Sequence, residues 1–330
     1  MLQFVADQVD QLDLAIDQLA VGDRNFDRFA MMLIDNVVEL TLHRHAREKA
    51  RENESWRHDS TPKYDPKVVA AALGHSFKAK IKLARATSMI PTAAAESIQY
   101  LHRFRNTVYH QGTRHEGILH ALAIFYFQNA CSVLEGFKPQ WWSSGSGDHI
   151  SHRAIKYLGT PKLFEHGDTM PDACARLRQV GNSLGLTLVV DLHADMEKTI
   201  ERVDEQINFL ATNAPRATSR IEAIIAAQAS PFVFSEEGKQ WARDNGCPME
   251  TGSGYVDWLS SNYPWQIRTD PIASWRGRLK SLADEKSLDV ALKKYCDFMH
   301  QTEDFRSKLD DSASQLDSHI QLQIDFARGK

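Results

Sequence analysis

Apolar residues recur every three or four positions along most of this chain, a spacing that admits little besides helices. Val5, Val9, Leu12, Ile16 and Leu19 form one stripe at the helical repeat, and Gly22 can end the segment. From Phe26 through Met32, Leu33, Val37, Leu40 and Leu42 the pattern returns, then gives way over residues 43–54 to a mixed-charge run expected to be exposed helix. Val68 to Ile90 predicts a third helix with Leu73, Phe77 and Ile81 facing in, and Thr92 to about His110 a fourth. Gly117 to Gly136 holds Ile118, Leu122, Phe125, Phe127 and Leu134, and should be the central element of its domain. The one β-like run covers residues 186–190. The fold class is therefore all-α, with an N-terminal bundle of about five helices and a mostly helical C-terminal domain.

At 330 residues the chain exceeds what one compact helical domain needs. Residues 137–147 have the Pro, Ser and Gly content of a linker, which predicts domains over residues 1–140 and 148–330. In the second domain, Glu197 to Leu210 reads as helix, and Cys247 to Asp270 as a loop-rich stretch with Trp258, Tyr263 and Trp265. Heptad-spaced residues including Leu288, Leu292, Tyr295, Met299, Leu309, Leu316 and Ile320 predict one long terminal helix, packed along another within the molecule in preference to a dimer.

A hydrophobic share of 42% and a charged share of 25% are those of ordinary globular proteins, which excludes fibrous or disordered classes. The most apolar segment, Ile118 to Leu134, is interrupted by His120, Gln128 and Asn129, too polar for a bilayer span. The first residues lack the pattern of a secretory signal, and four scattered cysteines imply neither zinc nor disulfides, so a reducing cytoplasm is expected. The net charge of −4 is unevenly spread. Between Lys63 and Arg114 nine basic residues (Lys63, Lys67, Lys78, Lys80, Lys82, Arg85, Arg103, Arg105, Arg114) face only Asp65 and Glu96. Such a local field can attract a polyanion, although a charge run can equally be a solvated helix face.

Inside this stretch, Tyr100 to Gly112 holds Arg105, Asn106 and His110. A histidine can move protons near neutral pH and a fixed arginine can neutralise a phosphorane, the two needs of metal-free RNA cleavage by a ribose 2′-hydroxyl. Asn106 would orient the histidine or a phosphate oxygen. The bare Arg-to-His spacing arises by chance in a chain this rich in both, and its company gives it weight. On an ideal helix, positions five apart point about 140° away from each other, so convergence predicts that the helix ends, loosens or bends between them. A purely structural alternative pairs Arg105 with Asp35 or Glu39 on the second helix and leaves His110 as a helix-end histidine. His102, Arg103, Tyr109, Lys78 and Lys82 are further candidates for RNA contact, while His43, His45 and His58 lack partners at metal-ligand spacing. Nucleotide-binding glycine loops, esterase elbows and zinc-protease helices are not seen.

The Arg105, Asn106 and His110 pattern, with the helix order of residues 1–140, resembles the HEPN superfamily, whose ribonucleases carry Arg, a polar residue, three variable positions and His. The resemblance implies a homodimer with a composite active site, no divalent ion, 2′,3′-cyclic phosphate and 5′-hydroxyl products, and a role as a toxin or defence effector with an antitoxin or defence-system partner. Family toxins silenced by nucleotidylation carry Tyr two positions after the His; here that position is Gly112, and this regulation is not carried over. The rival expectation is a non-catalytic HEPN scaffold binding a protein or nucleotide, and in either case the C-terminal domain can act as sensor or self-inhibitor.

Overall fold

The computed structural model describes residues 1–55, 61–111, 116–143, 145, 147–159, 169–214, 219–249 and 251–329, with backbone alone at residues 55, 108–111, 116 and 169. Among them there are fifteen α-helices and no strand, so the chain is all-α. It divides into two compact units, Met1–Leu192 with Lys286–Lys293, and His193–Glu285 with Lys294–Lys330.

The first unit opens with α1 (Leu2–Leu19) and α2 (Arg24–Ser55), followed by α3 (Pro66–Leu73) and α4 (Phe77–Ala86) where a single third helix was expected. The break has a local cause. Gly74 is extended, and the Ser76 hydroxyl accepts from Ala79 N at 3.2 Å, capping a new helix in place of a continued one. Next come α5 (Thr92–Gln111), a short 3-10 turn, and α6 (Leu119–Gly136). The helix α6 is buried on nearly every side and packs against α2 and α8 (Thr169–Asn182), after the short α7 (His152–Leu158). Residues 137–147, expected as a linker, lie within this unit. Phe137 is buried edge-to-face on Phe4, with centroids 5.9 Å apart, and the Met1 ammonium donates to Ser143 O at 2.9 Å. Across α1 and α7, Asp13 accepts from Tyr157 and pairs with Arg153 (2.5 Å) and Lys156 (3.2 Å). The expected β-like run opens α9 (Leu188–Asn213) instead: Thr187 O accepts from Asp191 N at 2.9 Å as the first backbone bond of the helix, and Thr187 Oγ1 donates to Asp191 Oδ2 at 2.6 Å, so local pairing prevails over β-propensity.

The second unit holds most of α9, then α10 (Arg220–Val233), α11 (Glu236–Asp244), α12 (Ser253–Asn262) and α13 (Ile272–Ala283). Ser219 and Glu222 form a reciprocal capping box at the start of α10. Leu259, Tyr255, Val233 and Trp265 make a small core that Phe232, Trp258 and Tyr263 flank. The expected long terminal helix is two, α14 (Leu288–Gln301) and α15 (Glu303–Ala327), separated at Thr302. The buried stripe runs Leu292, Tyr295, Phe298, Thr302, Phe305, Leu309, so the heptad spacing holds, with Phe298 and Phe305 inside rather than Met299 and Arg306.

Candidate functional site

The site is organised by a carboxylate in a position that the helical repeat reserves for apolar groups. Asp35 sits on the inner face of α2 beside Ile34 and Val38 and is 1% exposed. A lone buried carboxylate costs several kcal/mol, roughly, unless hydrogen bonds and a countercharge offset it. Three side chains from two other helices supply them. Tyr126 of α6 donates its hydroxyl to Oδ1 at 2.6 Å, His102 of α5 lies with Nδ1 2.8 Å from the same oxygen, and Arg105 of α5 brings Nε to 3.4 Å from Oδ2. Burial, then the adjacent Asp35 charge, pushes the Tyr126 phenol well above its ordinary value, so it remains a donor at every physiological pH.

Because a carboxylate oxygen only accepts, Nδ1 of His102 carries a hydrogen, and the neutral form of the ring therefore has its lone pair on Nε2. The ring is clamped by Phe77 of α4, parallel within 4° at 3.8 Å between centroids. Arg105 also donates through NH1 to Asn106 Oδ1 at 2.9 Å, so the asparagine carbonyl faces the guanidinium. Of the two structural partners open to Arg105, the protein uses Asp35; Glu39 instead takes Lys80 at 3.3 Å.

The helix α5 continues without interruption from Thr92 to Gln111. The expected loosening of the helix between positions 105 and 110 is therefore not found. The side chains of His110 and Tyr109 lie outside the described residues, as do Arg114 and His58. The basic stretch sorts into two groups. Lys63 is paired with Glu52, Lys80 with Glu39 and Arg105 with Asp35. Lys78, Lys82 and Arg85 are exposed at four- and three-residue spacing on α4, forming a cationic stripe, and Arg103 is exposed with its guanidinium 5.7 Å from the Tyr100 centroid. His102, a candidate surface contact from sequence, is instead a half-buried member of the Asp35 network.

Asp35 as an organising group, Tyr126 and Phe77 were not foreseen in these roles. The available signal was an ionisable residue interrupting the apolar stripe of α2. The buried histidine His45 serves packing: its Nε2 lies 2.8 Å from Thr87 Oγ1, and burial then nearby Lys49 push its pKa down to about 4. Buried Cys131 and Cys174 have thiols pushed up, the latter to about 12, first by burial, so neither is an activated nucleophile. Among the described residues no cluster of three His, Cys, Asp or Glu side chains is placed to hold a metal ion, and no helix is long and apolar enough to cross a membrane. No protein-family model matches the chain, and neither a curated protein nor a solved structure is similar enough to count as a match.

Proposed function

We propose that the first unit is a HEPN-like, metal-independent endoribonuclease that cleaves RNA by attack of a ribose 2′-hydroxyl on the adjacent phosphate. The observation that carries this reading is the mounting of Arg105. Its guanidinium is anchored from below by the buried Asp35, yet its side chain is 30% exposed, close in sequence to Asn106 and His110 and in the same unit as the cationic stripe of Lys78, Lys82 and Arg85. An arginine held this way presents charge with little left to reorganise when a phosphorane forms. His110 moves protons at the reacting oxygens. The unbroken α5 favours a site completed by a second copy, because five positions along a continuous helix amount to about 140° of rotation. A role in toxicity or defence, with an antitoxin or defence-system partner, follows by analogy of chemistry alone.

The test is incubation of the purified full-length protein with total RNA in EDTA. Cleavage to 2′,3′-cyclic phosphate ends that falls at least about 100-fold in Arg105→Ala and His110→Ala supports the enzyme. RNA left intact by the wild type refutes it. A second reading is favoured by the same ion pair: if Arg105 only neutralises Asp35, the domain is a non-catalytic scaffold. Then Arg105→Ala lowers stability, by about 2 kcal/mol for a lost partner of a buried carboxylate, with no RNA-processing phenotype.

A further inference from the structure

Resting on the ribonuclease reading above, we infer that His102, held by Asp35, is the general base that takes the proton of the attacking 2′-hydroxyl, and that His110 is the acid that protonates the leaving oxygen. The site is layered in the manner such a role requires. Asp35 and Tyr126 form a buried floor, at 1% and 0% exposure, while the side chains of His102 and Arg105 are 19% and 30% exposed above it. His102 and Arg105 are three positions apart on α5, which leaves about 60° between them, against about 140° between Arg105 and His110. Both reach the same carboxylate, so the geometry brings together a guanidinium and an imidazole, those of Arg105 and His102.

The imidazole is set for proton uptake. Its Nδ1–H points at Asp35, so Nε2 carries the lone pair, and Nε2 makes no hydrogen bond among the described residues. Phe77 fixes the ring plane and hence the direction of that lone pair. Asp35 stabilises the imidazolium once it forms, as an orienting carboxylate does in other acid–base dyads. Tyr126 cannot compete as a base, since it donates to the same oxygen. The charges that act on the Tyr126 and Asp35 pair are Arg105 on α5 and Glu39 on α2; Glu39 is paired to Lys80 of α4, which with Glu39 also acts on His43 of α2, while Lys78, Lys82 and Arg85 of α4 and Arg103 of α5 are exposed.

In the step itself, Nε2 of His102 takes the 2′-hydroxyl proton as the O2′–P bond forms. Arg105 neutralises the equatorial oxygens of the phosphorane. The P–O5′ bond breaks with its electron pair on O5′, which takes the proton of His110 from the second copy that completes the site, leaving a cyclic phosphate and a 5′-hydroxyl. The two histidines recover their starting protonation from solvent, so no oxidant or metal enters the balance.

The test compares full-length wild type with His102→Asn, Asp35→Asn and His110→Ala, measuring initial cleavage of a fluorescent single-stranded oligoribonucleotide in EDTA from pH 5 to 9, with circular dichroism melting of each protein. In His102→Asn the new amide retains a donor to Asp35 but has nothing in place of Nε2. The expected result is a folded His102→Asn protein at least about 100-fold slower, whose residual rate no longer rises with pH on the acid side. Asp35→Asn, acting on a positioning residue, displaces that acid-side rise, and His110→Ala removes the alkaline fall. If His102→Asn cleaves within threefold of wild type with the acid-side rise intact while His110→Ala is inactive, the role of His102 is refuted and the ribonuclease reading survives. If the wild type leaves RNA intact, both are refuted. Should His102→Asn fail to fold, ¹⁵N spectra of histidine-labelled wild type decide: an Nδ1–H tautomer at His102 supports the assignment and an Nε2–H tautomer overturns it.

Discussion

Acidification should weaken the first unit through His45, and the size of the effect can be worked out. The His45 ring is 4% exposed. Thr87 Oγ1 donates to Leu83 O at 2.9 Å, so it accepts from His45 Nε2–H, and the remaining ring nitrogen, Nδ1, is buried with no hydrogen-bond partner among the described residues. A second proton would be placed on Nδ1, in a desolvated spot close to Lys49. This is why the pKa falls from 6.5 to about 4. The sign follows from linkage: the unfolded chain takes the proton as pH drops below 6.5 and the folded chain refuses it until about pH 4. The stability His45 contributes is thus intact above pH 6.5 and is lost progressively below it. At about 1.4 kcal/mol per unit, the loss is about 2 kcal/mol at pH 5 and about 3 kcal/mol once pH is below 4. The assay is urea unfolding followed by far-ultraviolet circular dichroism at pH 7.5 and pH 5, comparing wild type with His45→Gln, whose amide can still donate to Thr87. His120, raised first by its bond to Asp27, works in the opposite direction but equally in both proteins, so it cancels from the difference. Wild type should lose about 2 kcal/mol more than the variant. Equal losses would refute the argument that this ring is held neutral.

Three further outcomes are expected. Tyr126→Phe removes a donor from buried Asp35 and should lower stability by about 1–2 kcal/mol, measurable by the same denaturation, with the helical content unchanged. Burial alone would raise Glu52, but hydrogen bonds from Lys49, Lys63 and Tyr64 prevail and hold it down at about 2; Glu52→Gln should therefore cost about 1–3 kcal/mol at pH 7 and flatten the acid loss that wild type shows between pH 4.5 and 2. Gly136→Ala would place a Cβ 2.2 Å from Met89 O and should lower the melting point by several degrees, about 1–3 kcal/mol, whereas Gly117→Ala meets nothing within 4 Å and should be nearly neutral.

Helices were legible wherever a long apolar stripe was continuous: α1, α2, α5 and α6 follow the spacing of their leucines, valines and isoleucines. Illegible were the places where one polar side chain or a glycine redirects the backbone. Ser76 divides one expected helix, and the pairing around Thr187 turns a β-like run helical; the break at Thr302 is slight, since Thr302 N donates to Phe298 O and Thr302 O accepts from Arg306 N. The linker-like stretch was read from composition, whereas Phe137 anchors it to α1 by a contact that composition does not encode. At the candidate site, Arg105 and the acidic alternatives on the second helix were visible in the periodicity. The capture of His102 was not, because it depends on three helices meeting at Asp35 and on Phe77 arriving from a fourth.

Thirteen of the eighteen residues of α6 are buried, and its Phe127 lies so near Gly181 of α8 that a Cβ there would fall 2.7 Å from the ring. A fragment stopped near residue 140 would strip away α8 and leave a greasy cylinder bare along one flank, prone to clump rather than to stay in solution. Because residues 286–293 also belong to this unit, no single stop codon isolates it. Anyone wishing to handle it separately must graft that late segment back or keep the chain whole.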